Sequence, residues 1–329
     1  MKQILMFDTA IATSNLGDEV ILDGVKEGLK EILDNSLTFR LGTHIENWSP
    51  LKIQRNWKAH VLCDKADYKF VCGTNCLTND LKHKRQWEVN DFNKILYKDC
   101  ILVGVGRISD YDMPTKYSQK LYNDILSKKY KHSVRDEGTK RVLEKMGFKA
   151  INTGCPTLWG FTDEKCSKIP KKKSENVIIS VSGYDDQSNK EKDQEMIDII
   201  NNNYKNVYAW IQTVSDEEYL KKLNNTENMK CIYSLNKFAE LCDNGNIDYV
   251  GTRLHGGVYA MQHNCRSIVI SIDERARGFH ESNNIPIIER DNIEQLDEMI
   301  NSEFETKIKV NREAINEFIS QFKESIDGK

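Results

Sequence analysis

The sequence predicts an α/β protein made of two Rossmann-like domains facing each other across a cleft. Short apolar runs of strand length alternate with segments whose apolar residues follow helical spacing, the pattern of a parallel sheet with crossover helices. A polar, lysine-rich stretch at residues 163–176 interrupts the alternation, which then restarts. The 329 residues are enough for two cores of ordinary size.

"QILMFDT" reads as the first strand. "GDEVILDGVKEGLKEIL" reads as a helix, because Val20, Ile21, Val25, Leu29, Ile32 and Leu33 follow helical spacing. "LTFRLGT", "DYKFVCGTN" and "DCILVGVGRIS" read as strands, the last ending in glycines. "SQKLYNDILSKKY" reads as a helix, and "SVRDEGTKRVLEKMGF" as a short strand breaking into a helix that Gly147 ends. "DEKCSKIPKKKSEN" reads as a linker, or at least as an exposed connection between domains. Beyond it, the strands "NVIISVSGY", "NVYAWIQT", "MKCIYS", "IDYVGTR" and "CRSIVISID" are interleaved with the helices "KEKDQEMIDIINNNY", "LNKFAELCDNG" and "GGVYAMQHN". "DERARGFH" reads as a loop, and "NIEQLDEMINSEF" and "KVNREAINEFISQFKESI" as closing helices. The expected division is an N-terminal domain over 1–165, a C-terminal domain over 175–305 and a closing helix over 306–329.

A net charge of −3 and a pI near 6.2 argue against a general nucleic-acid binder, which carries a basic excess. The nine cysteines form no regular framework. Cys72 and Cys76 have no second pair or flanking histidine at zinc-finger distance, so buried reduced thiols are expected and no metal site is. The start of the chain reads as a strand rather than a signal peptide, and no run approaches the roughly 18 apolar residues of a membrane span. The expected location is the cytoplasm.

In open α/β sheets ligands bind beyond the carboxyl ends of the strands. The residues expected there include Asn15, Gly17, Asp18, Asn75, Arg107 and Arg135 in the first half, and Arg253 to Gly257 and Arg277 in the second. Asp18 reads either as a helix-start carboxylate or as a group facing a substrate hydroxyl. The turn lacks Gly-x-Gly-x-x-Gly, so a dinucleotide cofactor is not expected. Asp136 reads as a helix cap for Thr139. Arg135 reads either as a surface ion-pair partner or as a bidentate anion clamp. "TRLHGG" is the sharpest candidate. Arg253 supplies a fixed cation, and His255 a ring that titrates near neutral pH. Gly256 and Gly257 let backbone N–H groups approach an anion at a helix N-terminus. His263 and His280 are expected in structural or solvated roles.

"TSNLGDEVI", "SVRDEGTKRVLEKMG", "NTGCPTLW" and "TRLHGGVYA" occur in the order found in the polysaccharide pyruvyl transferase family, which the chain resembles over roughly residues 5 to 290. The resemblance implies a fold similar to the two-domain GT-B glycosyltransferases. It also implies transfer of a pyruvyl group from phosphoenolpyruvate onto hydroxyls of a sugar in a cell-surface polysaccharide or its precursor, giving a ketal. On that resemblance Arg253 and His255 match the family's donor-binding and acid residues, and Arg135 its other donor arginine. Asp18 matches an acidic position that we group with the catalytic residues. Gly256, Gly257 and Arg277 complete the expected donor set, and Asn15, Gly17, Asn75 and Arg107 the expected acceptor set on the N-terminal side. The family usually reads Asp-Pro-Thr where this chain has Cys155-Pro156-Thr157, and its glycine-rich turn is here Cys72-Gly73-Thr74-Asn75. The implied partners are phosphoenolpyruvate as co-substrate, with no cofactor, and a sugar or lipid-linked oligosaccharide acceptor. A lipid-linked acceptor would place the protein at the inner face of the membrane through peripheral contact. Two other readings stand beside this one: a GT-B-type glycosyltransferase using a nucleotide-sugar donor, and a non-catalytic glycan-binding protein.

Overall fold

The apolar runs pair in parallel throughout. The computed structural model describes residues 1–47, 53–83, 86–183 and 189–323. Two compact units emerge. The first comprises Met1–Thr13, Asp18–Gly160 and the described residues from Asn311 on; the second comprises Ser14–Gly17 and Phe161–Val310.

In the first unit, strands β1 (Lys2–Asp8), β2 (Ser36–Gly42), β3 (Tyr68–Cys72) and β4 (Cys100–Val103) form a sheet in the order β2-β1-β3-β4. The short pair β5 (His132–Val134) and β6 (Ala150–Asn152) continues from β4 through a single parallel bridge, Val105 to Val134. This is one of the two common doubly wound orders, and its strand order reverses between β1 and β3. β3 and β4 are buried along their whole length, as a strand covered by helices on both faces must be. Phe7, Val71, Trp87, Tyr97 and Leu102 are central to this core.

In the second unit, β7 (Asn176–Ser180), β8 (Asn206–Trp210), β9 (Lys230–Ile232), β10 (Ile247–Gly251), β11 (Ser267–Ser271) and β12 (Ile287–Glu289) form a six-stranded sheet ordered β12-β11-β10-β7-β8-β9. Its strand order reverses at the centre, so the switch point lies between β7 and β10. The core gathers Ile179, Ile197, Ile211, Val250 and Ile268.

Two expectations about organisation need correction. The lysine-rich stretch 163–176 is an ordered edge of the second unit rather than a linker. Thr162 caps a helix, Asp163–Ser167, by accepting from the Lys165 N–H. Phe161, Cys166 and Ile169 are buried beneath the lysines, and Lys171 and Lys172 pair with Glu305 and Glu303 at 3.1 and 3.0 Å. Three apolar anchors suffice to order a segment whose composition is otherwise that of solvated chain.

The closing helix, Arg312–Lys323, is no separate element. It belongs to the first unit, where Phe318 and Phe322 are fully buried. The Phe322 ring lies 5.2 Å from that of Tyr68 and 5.1 Å from that of Phe70. The helix Ile53–Lys65 has no counterpart among the expected elements. Tyr184, at the end of "NVIISVSGY", and residues 324–326 of the last expected helix lie outside the described residues.

Candidate active site

In the second unit the chain leaves β10 through Thr252 and Arg253 into the helix Leu254–Gln262, beside the switch between β7 and β10. Arg253 is held along both backbone and side chain. Its N–H donates to Ser180 Oγ at 3.0 Å, and its carbonyl accepts from the Tyr249 hydroxyl at 2.7 Å. Its Nε donates to Asp216 Oδ2 at 3.0 Å, and Nη2 donates to Asp216 Oδ1 and, at 3.1 Å, to Thr213 Oγ1. Only 4% of Arg253 is exposed, and none of Asp216. The expected fixed cation is therefore present, but as half of a buried, bidentate ion pair. Asp216 was absent from the expected site. Its signal in the sequence is "TVSD", the Ser/Thr-x-x-Asp/Glu pattern of a capping box, which the helix Val214–Leu220 forms through Thr213 and Asp216.

His255 sits in the first turn of the Arg253 helix, half-buried, with its ring edge-on to Phe279 at 6.2 Å. The paired glycines have a packing role as well. A Cβ on Gly256 would lie 2.8 Å from the Tyr249 hydroxyl oxygen, and one on Gly257 2.6 Å from Val269 Cγ2. The Gly257 N–H is spent on the Arg253 carbonyl at 3.1 Å. Their bareness lets the helix lie against β10 and β11, bringing its N-terminus to the strand ends. The N-cap residue, Arg253, makes no side-chain hydrogen bond to this helix, its guanidinium being turned to Asp216 and Thr213 instead.

Arg277 is not on a loop. It lies in the helix Glu274–Asn283, which Asp273 caps by accepting from the Arg275 and Ala276 N–H groups. Ala276, Phe279 and Asn283 form its buried face, a helical spacing that the surrounding charges obscure in the sequence. Arg277 pairs with Glu274, and its Nε with Glu289 at 3.0 Å, so its charge is already engaged. His263 ends the Leu254–Gln262 helix and meets Asp243 at 2.9 Å. The surface depression around Tyr204, Asn206, Asn228 and Lys230 lies at the amino ends of β8 and β9, the wrong end of the sheet for a ligand by the strand-end rule.

Asn15 and Gly17, expected on the N-terminal acceptor side, group with the second unit. Asn15 Oδ1 accepts from the Gly17 N–H at 3.0 Å and from Gln212 Nε2 at 2.8 Å, and the Leu16 N–H donates to the Gln212 carbonyl at 3.1 Å. A Cβ on Gly17 would lie 2.7 Å from Gln212 Nε2. These contacts hold the segment against the end of β8.

In the first unit the candidates surround the switch between β1 and β3. Asp18, in the first turn of the helix Gly17–Gly28, is buried and accepts from the Thr13 hydroxyl at 2.6 Å. Burial raises its carboxyl above the ordinary aspartate range, with the Thr13 bond and the charge of His44 opposing. Past β3, Gly73 and Thr74 take positive φ of 66° and 54°, turning Asn75 toward Arg135, whose Nη2 donates to Asn75 Oδ1. Arg135 runs over Gly106, where a Cβ would collide with its Nε. Asp136 caps the helix Glu137–Lys145, accepting from the Thr139 N–H at 2.6 Å as expected. Arg107 is turned to its own loop, donating to the Tyr111 carbonyl at 2.6 Å and pairing with Asp110. Asp18 and Arg135 converge on Cys76. Burial pushes that thiol up, Asp18 pushes it further, and Arg135 opposes. The first unit thus brings together Asp18, Asn75 and Arg135 but directs Arg107 elsewhere.

The raised carboxyl of Asp18 has a testable consequence. Because the native group holds its proton to higher pH than the unfolded one, stability falls as pH rises from 3.8 through the native value, and the ionised form is a standing cost at pH 7. Asp18→Asn is expected to raise the melting temperature at pH 7, with the gain shrinking as pH falls toward 3.8. Differential scanning fluorimetry at both pH values checks this, and a lower melting temperature at pH 7 would contradict it.

Among the described residues no helix is long and apolar enough to cross a membrane. A search of curated protein sequences returns no match. Solved structures with similar folds include the UDP-GlcNAc 2-epimerase of Methanocaldococcus jannaschii in complex with UDP-GlcNAc and UDP, at a TM-score of 0.53 and 14% identity, covering 98% of this chain and all of that one. A putative UDP-N-acetylglucosamine 2-epimerase from Listeria monocytogenes matches at 0.54 and 12%, over 100% of this chain and 97% of that one. A glycosyltransferase from Rickettsia africae matches at 0.53 and 13%, over 100% and 99%. These likenesses agree with the strand orders of both units in giving a GT-B-like α/β fold. A model of the polysaccharide pyruvyl transferase family matches residues 15–274. With that match spanning most of the sequence, the chain is a transferase and belongs to the polysaccharide pyruvyl transferase family.

Proposed function

We propose that this transferase moves the pyruvyl group of phosphoenolpyruvate onto two hydroxyls of a sugar, forming a ketal on a cell-surface polysaccharide or its precursor. The observation that carries the reading is the Arg253–His255 pair at the switch of the second sheet. A rigidly held guanidinium and a titratable ring two residues apart open one helix, where an anionic enol ester needs both.

The chemistry assigns each group a step. Phosphate and carboxylate of the donor meet Arg253 and the N-terminal end of its helix. His255, as imidazolium, gives its proton to the methylene carbon, which becomes a methyl group. Positive charge develops at the adjacent carbon, and a sugar hydroxyl attacks there and loses its proton. The C–O bond to phosphate breaks, and inorganic phosphate leaves with that oxygen. The second hydroxyl adds to the same carbon, loses its proton and closes the ketal. Asp18, whose carboxyl burial raises above the ordinary aspartate value, has the character of a group that accepts a hydroxyl proton. The acceptor is a sugar or a lipid-linked oligosaccharide, and the latter would bring the protein to the cytoplasmic face of a membrane.

The rival donor is a nucleotide sugar, because structures of similar fold were solved with UDP bound. Melting temperatures measured with phosphoenolpyruvate, UDP, GDP and CMP at millimolar levels separate the two, since a ligand of the native state must stabilise it. Stabilisation by phosphoenolpyruvate alone is expected. Stabilisation by a nucleotide alone would replace this reading with the glycosyltransferase one.

A further inference from the structure

Asp216 is a buried carboxylate in the second unit whose partners come from three different strand ends. Its Oδ1 accepts from the Gly183 N–H, past β7, at 2.9 Å, and its Oδ2 accepts from the Gln212 and Thr213 N–H groups, past β8, at 3.2 and 3.0 Å. Both oxygens also meet Arg253, past β10. With these five donors the carboxylate is at the limit of its accepting capacity. The three backbone bonds fix where the carboxylate lies, and the planar guanidinium must follow it, because a bidentate pair sets angle as well as distance. Asp216 also offsets the charge of Arg253. An anion entering the crevice then meets directed N–H groups with little net positive charge behind them, which favours a ligand of matching shape over any small anion.

We propose that Asp216 is a positioning residue that orients Arg253 and sets the anion selectivity of the site. This rests on the reading that the crevice takes an anionic donor. In Asp216→Asn an amide oxygen in the Oδ2 place still accepts from the Gln212 and Thr213 N–H groups, while the amide NH2 faces the Gly183 N–H and Arg253 loses both its compensating charge and its fixed angle. Inorganic phosphate is then expected to bind at least threefold tighter than to the wild type, phosphoenolpyruvate at least tenfold weaker, and the preference between them to collapse. A residue that only supported the fold would lower the melting temperature and the fraction of competent protein without tightening phosphate.

The deciding experiment is a double-mutant cycle of Asp216→Asn and Arg253→Lys, with affinities for phosphoenolpyruvate, UDP and inorganic phosphate taken by isothermal titration calorimetry. Calorimetric stoichiometry reports the competent fraction separately from affinity. Coupled effects on phosphoenolpyruvate, with the Asp216→Asn change nearly silent once lysine has removed the planar fork while phosphate still tightens on the retained charge, support the proposal. Fold-effects that multiply within a factor of about two, as independent sites do, overturn it. If the wild type binds UDP and not phosphoenolpyruvate, the pyruvyl-donor reading fails and the cycle is scored on UDP. If it binds none of the three, both fail. Should Asp216→Asn not fold, Gly183→Ala takes its place in the cycle. A Cβ there would collide with the Ser215 carbonyl and push the Asp216 helix start away from β7 without altering any charge. It is expected to weaken phosphoenolpyruvate at least tenfold without tightening phosphate, and an unchanged preference would overturn the proposal.

Discussion

His255→Gln is expected to lower turnover at least ~100-fold while leaving donor affinity within about twofold, the signature of a lost general acid. Glutamine approximates the reach of histidine and still donates a hydrogen bond, but it carries no proton that it can give up near neutral pH. The position itself should survive the change. His255 is only half-buried, and its edge-on contact with Phe279 is one the amide can occupy without opening a cavity. Single-turnover kinetics together with calorimetric binding check the split, and the limb of the pH–rate profile that reports the acid should vanish with the ring. Near-normal turnover would take His255 out of the acid role and leave the adjacent arginine as a binding group alone.

The second large effect concerns Arg253→Ala, the substitution an experimenter would try first. It should cost about 3–5 kcal/mol of stability, because Asp216 would be left charged and buried without its partner. For a unit of this size that is a fall in melting temperature on the order of 10 °C. Lost donor binding in that variant alone therefore says little about contact with the donor. The double variant Arg253→Ala with Asp216→Asn removes the stranded charge and keeps an acceptor for the Gln212 and Thr213 N–H groups. It is expected to recover most of the melting temperature while donor binding stays lost. If Arg253→Ala melts like the wild type, the ion pair is not what holds this crevice together.

The alternation of apolar runs was enough to read both sheets, because parallel strands buried on two faces leave continuous hydrophobic stretches such as "YKFVC" and "SIVIS". The "TRLHGG" element was equally legible, since a cation and a titratable ring at the end of a strand have few packing uses. Asp216 was not, because a carboxylate in a capping box looks like any surface helix start until its neighbours from two other strands are known. Arg277 was misplaced for the opposite reason: dense charge in "DERARGFH" reads as loop, although the helix needs only Ala276, Phe279 and Asn283 on one side. The glycines were visible, but whether they admit a ligand or a neighbouring strand depends on contacts far away in sequence. The same holds for Asn15, which a reading along the chain assigns to the first domain and which Gln212 claims for the second.

The return of the helix Arg312–Lys323 to the first unit leaves Phe161–Val310, the larger piece of the second unit, between two pieces of the first. During synthesis all strands of the first unit precede those of the second, but its last helix follows them. Until Phe318 and Phe322 emerge from the ribosome, the parts of Tyr68, Phe70 and Trp159 that their rings pack against lack those partners. A fragment ending at Gly160 would expose the same surface permanently. Dissecting the two units therefore calls for a linker joining residue 160 to residue 311, so that the nascent first unit receives its final helix without waiting for the second.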